Sequence, residues 1–173
     1  MTTKRWFTYD DVHAQCLDIV RKIEADNWKP DYVVGLTRGG LLPAVLLSHW
    51  FGVPCETLKV SLRDGAGESE TNCWMADDAF GYDSEPKRIL IVDDINDTGA
   101  TFNWIKNDWR SSCKPNDAAW DTVWHNTVKF AVLVDNLASG AKVDYNATEI
   151  NKTEHDAWMV FPWEEWWKTP ASN

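Results

Sequence analysis

Arg88-Ile89-Leu90-Ile91-Val92-Asp93-Asp94-Ile95-Asn96-Asp97-Thr98-Gly99-Ala100-Thr101 is the stretch on which the reading of this chain turns. Residues 89–92 form an unbroken apolar run, which suits a strand covered on both faces. Asp93 and Asp94 close the run, and Asp97 follows after Ile95 and Asn96. Thr98, Gly99, Ala100 and Thr101 then open a helical pattern. In open α/β sheets ligands bind beyond the carboxyl ends of strands, so the acids would emerge at the ligand edge. Adjacent carboxylates accept hydrogen bonds from a vicinal diol, or hold a hard cation through oxygen. The hydroxyls, glycine and helix-start amides of residues 98–101 describe an anion site, with phosphate the anion that fits. A phosphorylated ribose satisfies both halves of this loop.

The same residues resemble the phosphoribosyl-pyrophosphate (PRPP) signature of the type I phosphoribosyltransferases: apolar residues, two acids, two spacers, then Asp-Thr-Gly-Xaa-Thr. Within that family the chain resembles the short bacterial xanthine-guanine and hypoxanthine enzymes. The resemblance implies an α/β fold of three layers, a mostly parallel central sheet flanked by helices, with a small hood from the C-terminal part. It implies one phosphoribosyltransferase domain over residues 1–173, with a core at about 8–135 and a hood at about 136–168. It also implies transfer of the 5-phosphoribosyl group from PRPP to a nucleobase, a 6-oxopurine above all, with release of pyrophosphate and use of Mg²⁺. Asp97 takes the role of general base, and Asp93 and Asp94 those of ribose and metal ligands. Residues 98–101 (Thr98, Gly99, Ala100, Thr101) cradle the 5-phosphate.

Upstream, residues 31–36 read as a short buried strand, and Thr37-Arg38-Gly39-Gly40 follows before another helical pattern. Glycines let backbone approach a ligand, and Arg38 brings a permanent charge with several donors. In the resembling family this is the pyrophosphate loop, often with a non-proline cis bond. Thr37, Arg38 and Gly39 are then PRPP ligands, and Arg38 shares the catalytic work with Asp97. Before it, Val12, Cys16, Ile19, Val20 and Ile23 mark an apolar helix face behind a cap at Thr8 or Asp10. Residues 53–62 read as a strand. Residues 63–87 are a polar segment long enough to be a lid, with Ser61 and Arg63 as candidate pyrophosphate contacts.

Downstream, the helix continues through Trp104, Ile105 and Trp109 and breaks at residues 111–117. Residues 118–126 suit a short extra helix with Trp120 and Trp124 on one side, and residues 128–134 another buried strand. In 6-oxopurine relatives a lysine in the following turn donates to the base oxygen. Here none falls between Asp135 and Ser139, and Asn136 stands there as an amide donor to the base. Residues 143–149 resemble the strand that enters the hood. In residues 157–164, Trp158 would stack on the base, Met159 would read its edge by backbone, and Glu164 would help hold metal. Residues 165–168 suit a short terminal helix.

Composition narrows the classes. The 173 residues carry a formal net charge of −10, which argues against nucleic-acid or anionic-membrane partners. No apolar run approaches the ~20 residues of a membrane span. Cys16, Cys55, Cys73 and Cys113 lack CxxC spacing and read as free thiols of a reducing, cytoplasmic compartment. The partners implied are PRPP, a nucleobase and further copies of the chain. Two alternatives use the same fold: a PRPP-binding regulatory module without turnover, and a transferase for a non-purine acceptor such as a pyrimidine.

Overall fold

The computed structural model describes residues 2–60, 62 and 73–168. Ser61, Arg63 and residues 64–72 of the expected lid lie outside them. The core is one parallel sheet of five strands in the order β3-β2-β4-β5-β6. Its strands are β2 (Tyr32–Thr37), β3 (Cys55–Lys59), β4 (Ile89–Asn96), β5 (Val128–Asn136) and β6 (Tyr145–Ile150). Helices α1 (Tyr9–Ala25) and α2 (Leu41–Phe51) cover one face, and α3 (Cys73–Phe80) and α4 (Ala100–Ser112) the other. Along β4 the side chains alternate between the layers: Ile89 and Ile91 pack toward α3 and α4, Leu90 and Val92 toward α1 and α2. All four are fully buried, as the unbroken apolar run requires.

The signals of the first helix are borne out. Thr8 caps α1 in a capping box with Asp11, and the five apolar positions of its expected face are all buried. Of the residues 118–126 expected to be helical, only Ala118–Thr122 form a 3-10 helix; its Trp120 is fully buried and stacks on Trp124 beyond it, with centroids 5.4 Å apart. The Trp120 Nε1–H donates to the Cys113 carbonyl at 2.8 Å. Trp120→Ala removes that ring from the α4 layer and is expected to destabilise the fold by about 3–5 kcal/mol, read as a lower urea midpoint. A loss below about 1 kcal/mol would mean that the layer collapses into the space.

Four expectations need correcting. Residues 63–87 are not all lid, because Cys73–Phe80 form α3 and bury Met75, Ala76 and Ala79 in the core. Second, the hood is not built from the C-terminal part alone. Its two strands are β1 (Thr3–Trp6) and β7 (Ala157–Val160), paired in parallel with Lys4 opposite Trp158. Phe7 then stacks on Phe161, and Phe161 on Trp163, at 5.3 and 5.1 Å, which clamps the hood over the α1–α2 layer. Third, the strand expected to enter the hood is β6, and it pairs with β5 as the edge of the main sheet. Fourth, residues 165–168 form turns rather than a helix. No helix among the described residues is long and apolar enough to cross a membrane.

Candidate active site

Chain order places the site. From β2 the chain runs to β3 on one side, and β4 lies on the other, so the loops after β2 and β4 diverge at a switch point. The ladder between β2 and β4 ends at Gly35 opposite Val92. Beyond that point β4 pairs only with β5, from Asp93 opposite Val132 to Asn96 opposite Asp135. The strand therefore runs to Asn96, and the acids Asp93 and Asp94 sit within it, on the side that β2 has left. A cavity of about 750 Å³ opens there. Its lining includes Thr37, Arg38, Gly39, Asp93, Asp94, Asp97, Thr98, Gly99, Ala100, Thr101, Trp158, Met159 and Glu164. Among the described residues, every candidate site residue of the sequence is thus at this cavity except Asn136; Ser61 and Arg63 lie outside them.

The turn into α4 is held from behind. Gly99 takes φ 86°, and a Cβ there would lie 2.5 Å from the Ala141 nitrogen, so only glycine fits. Gly140 N–H donates to the Thr98 carbonyl at 2.9 Å. Ser139 Oγ–H donates to Asn96 Oδ1 at 2.9 Å, and Asn96 Nδ2 donates to Asp135 Oδ1 and the Ala141 carbonyl at 2.8 and 2.9 Å. This bracing fixes the first turn of α4, whose residues Ala100, Thr101 and Phe102 line the cavity. An anion there meets amide donors and the positive end of a thirteen-residue helix.

Opposite lies the loop after β2. Its Thr37–Arg38 peptide is cis. Gly39 lies against Asp94 so closely that a Cβ would come 2.1 Å from Asp94 Oδ2. Asp94 N–H donates to Asp93 Oδ1 at 2.9 Å and Ile95 N–H to Asp94 Oδ1 at 2.8 Å, which orients both carboxylates. Glu164 Oε2 accepts the Phe161 N–H at 3.3 Å. Among the described residues no cluster of three or more His, Cys, Asp or Glu could cage a metal. Two neighbouring carboxylates beside this open cavity suit instead a Mg²⁺ that keeps waters and shares its ligands with substrate phosphates.

The acceptor side holds a residue that the sequence reading missed. Lys152, just past β6, sets its ammonium 2.9 Å from both oxygens of the Asp97 carboxylate. Asn136 does not reach the cavity. It is 6% exposed, its Nδ2 donates to the Asp97 carbonyl at 2.8 Å, and its Oδ1 accepts from Ala138 and Lys152 backbone N–H at 3.2 and 3.1 Å. It is a buried brace, not a base ligand. The turn carrying Lys152 is an Asx turn, with Asn151 Oδ1 accepting the Thr153 N–H at 3.1 Å. Residues 143–149 read as a core strand would have put Lys152 on the ligand edge of the sheet.

The family model for the phosphoribosyl transferase domain matches residues 8–169. Xanthine phosphoribosyltransferase 1 of Saccharomyces cerevisiae is 20% identical over 93% of this chain and 90% of its own length. The xanthine-guanine phosphoribosyltransferase of Desulfotalea psychrophila is 24% identical over 91% of this chain and 84% of its own. Among solved structures, the purine phosphoribosyltransferase of Pyrococcus horikoshii superposes with a TM-score of 0.66 at 25% identity, covering 98% of both chains.

Proposed function

The chain belongs to the phosphoribosyl transferase domain family, and from that premise we propose that it moves the 5-phosphoribosyl group of PRPP onto a 6-oxopurine, releasing pyrophosphate, in purine salvage. One observation carries the reading: a single cavity unites the α4 helix start, the Asp93–Asp94 pair, the Arg38 loop and the exposed ring of Trp158. Anion site, diol site, cation and stacking platform are the four things that PRPP and a base require together. The curated relatives above are named for xanthine and guanine, and the Pyrococcus structure for purines, which supports the choice of acceptor.

In this reading residues 98–101 hold the 5-phosphate, and Asp93 and Asp94 hold the ribose hydroxyls. Arg38, Thr37 and the Gly39 amide hold the pyrophosphate. Trp158 stacks on the base, a contact worth about 1–3 kcal/mol, and the Met159 backbone reads its edge. The bond from C1 to the pyrophosphate oxygen breaks, a bond from C1 to a ring nitrogen forms, and Asp97 takes the proton from that nitrogen. Charge builds up on the leaving pyrophosphate, where Arg38 offsets it. Asp93 and Asp94 would hold a Mg²⁺ and Glu164 would help hold a second metal ion through water; the metal would supply further charge neutralisation. A cytoplasmic homo-oligomer that binds neither nucleic acid nor membrane completes the proposal; the exposed Val45, Leu46 and Trp50 of α2 offer it an apolar face.

Purified protein with PRPP and Mg²⁺ should release pyrophosphate when guanine, xanthine or hypoxanthine is added, one base at a time. Calorimetric binding of PRPP with no turnover on any purine or pyrimidine would turn the reading into that of a regulatory module. Turnover confined to a pyrimidine would keep the transferase and replace the acceptor.

A further inference from the structure

We propose that Lys106 is a modification site: its amine, with His125 as base and Asp144 holding the imidazole, takes an acyl group from a small activated donor, an acyl phosphate or an acyl thioester. The transferase reading leaves these three side chains unused. Lys106 lies in α4, six residues after Ala100, so at about 1.5 Å per residue it sits roughly 9 Å along the helix from the cavity. Its Nζ is 3.1 Å from His125 Nε2. His125 Nδ1 is 3.1 and 3.0 Å from the two oxygens of the Asp144 carboxylate. An ionised carboxylate only accepts, so Nδ1 carries the ring proton and Nε2 is left as the acceptor that faces the amine. An amine, a base within hydrogen-bond reach of it and a third group that orients the base are the parts of an activated nucleophile.

The backbone holds this series in place. Asp144 is pinned to β5: its N–H donates to the Phe130 carbonyl at 2.9 Å, and its Oδ2 accepts the Phe130 N–H at 2.8 Å. His125 takes φ 62°, in the left-handed region, and its N–H donates to the Val128 carbonyl at 2.8 Å. The buried ring of Phe130 lies beside both groups, its centre 5.4 Å from Lys106 Nζ and 5.8 Å from that of the imidazole. Burial lowers the affinity of the Lys106 amine for its proton; the Asp144 carboxylate opposes this and the Lys142 ammonium adds to it. More of the amine is therefore unprotonated than in a solvated lysine. A small reagent still has access, because Lys106 is half-buried and the His125 side chain is 24% exposed. In the step, the Nζ lone pair attacks the acyl carbon and an N–C bond forms. His125 Nε2 takes the proton that Nζ sheds. The bond from the acyl carbon to the phosphate oxygen or thiol sulfur breaks, and the leaving group takes the proton from the imidazolium. An amide replaces the amine, and α4 loses a positive charge.

The test incubates the purified protein with acetyl phosphate in one arm and an acetyl thioester in the other, and follows each lysine by peptide mass spectrometry. Lys106 should be acetylated roughly tenfold to a hundredfold faster than the exposed Lys142. His125→Asn should slow Lys106 by about 10²-fold, the lower end of what a positioned base supplies, and leave Lys142 as it was. Asparagine tolerates the left-handed backbone at this position and cannot take the proton. If His125→Asn does not melt cooperatively, the pH profile of the unaltered protein decides: the Lys106 rate should level off below the ~10.4 of a solvated lysine. Preferential labelling by either donor supports the site, and the faster arm identifies its leaving group. A Lys106 no faster than Lys142 with both donors, a rate unchanged in His125→Asn, or a profile still climbing at that pH overturns it. The three side chains are then only a tie between α4 and the start of β5. None of these readouts depends on phosphoribosyl transfer.

Discussion

Asp97→Asn is expected to lower kcat by about 10²–10⁴-fold, the usual contribution of a positioned general base, while PRPP affinity changes by no more than a few-fold. Asparagine matches the shape of aspartate, and the structure shows what it would keep. The Asn136 bond goes to the Asp97 backbone carbonyl, so the loop stays tied. Lys152 can still donate to the one remaining carbonyl oxygen. The anion site at α4 and the Gly39 contact with Asp94 lie on other residues. What asparagine loses is the capacity to take a proton, and only a step that moves a proton to this atom feels that loss. Steady-state pyrophosphate release gives kcat, and titration calorimetry with PRPP and Mg²⁺ gives the affinity. An unchanged kcat removes Asp97 from the chemistry. Equal falls in affinity and kcat make it a sugar ligand like its neighbours.

How much of this was legible beforehand depends on how local each signal is. The β4–α4 unit is contiguous, and its residues carry apolar run, acids, glycine and hydroxyls in one stretch, so strand, turn and site could be read together. The loop after β2 was legible for the same reason. The hood strand β1 was not. Thr3–Trp6 is exposed along its length and finds its partner at Ala157–Val160, far along the chain. Nothing in those four residues announces a pairing at that separation.

Asn136 failed for another reason. A buried amide that ties two backbones and an amide that reads a ligand use the same donors and acceptors, and only placement tells them apart. Lys152 depends on β6: a hood strand over residues 143–149 does not place the turn beyond it at the ligand edge, and a sheet strand paired with β5 does.

The paired glycines after β2 give the second large effect, and they should separate cleanly. Gly39→Ala places its Cβ 2.1 Å from Asp94 Oδ2 and 2.3 Å from Asp94 Cγ. The three nearest atoms it meets belong to one side chain, which can rotate away, so the backbone can stay. The cost falls on the site: the Asp94 carboxylate leaves the position beside Asp93. PRPP affinity in the presence of Mg²⁺ is expected to fall by at least roughly tenfold to a hundredfold, the worth of charged hydrogen bonds, at a melting temperature close to that of the unaltered protein. Gly40→Ala places its Cβ 2.2 Å from the Val92 carbonyl oxygen and 2.8 Å from the Leu36 nitrogen, all of it backbone of β2 and β4. Those strands sit at the centre of the sheet and cannot part without breaking their ladder. This variant should lose about 1–3 kcal/mol or more of stability, as overpacked cores do, seen as a lower melting temperature. If Gly39→Ala binds PRPP as tightly as the unaltered protein, Asp94 has no part in holding the sugar or its metal. If instead it melts as early as Gly40→Ala, the loop is a structural hinge and its fit to pyrophosphate is incidental.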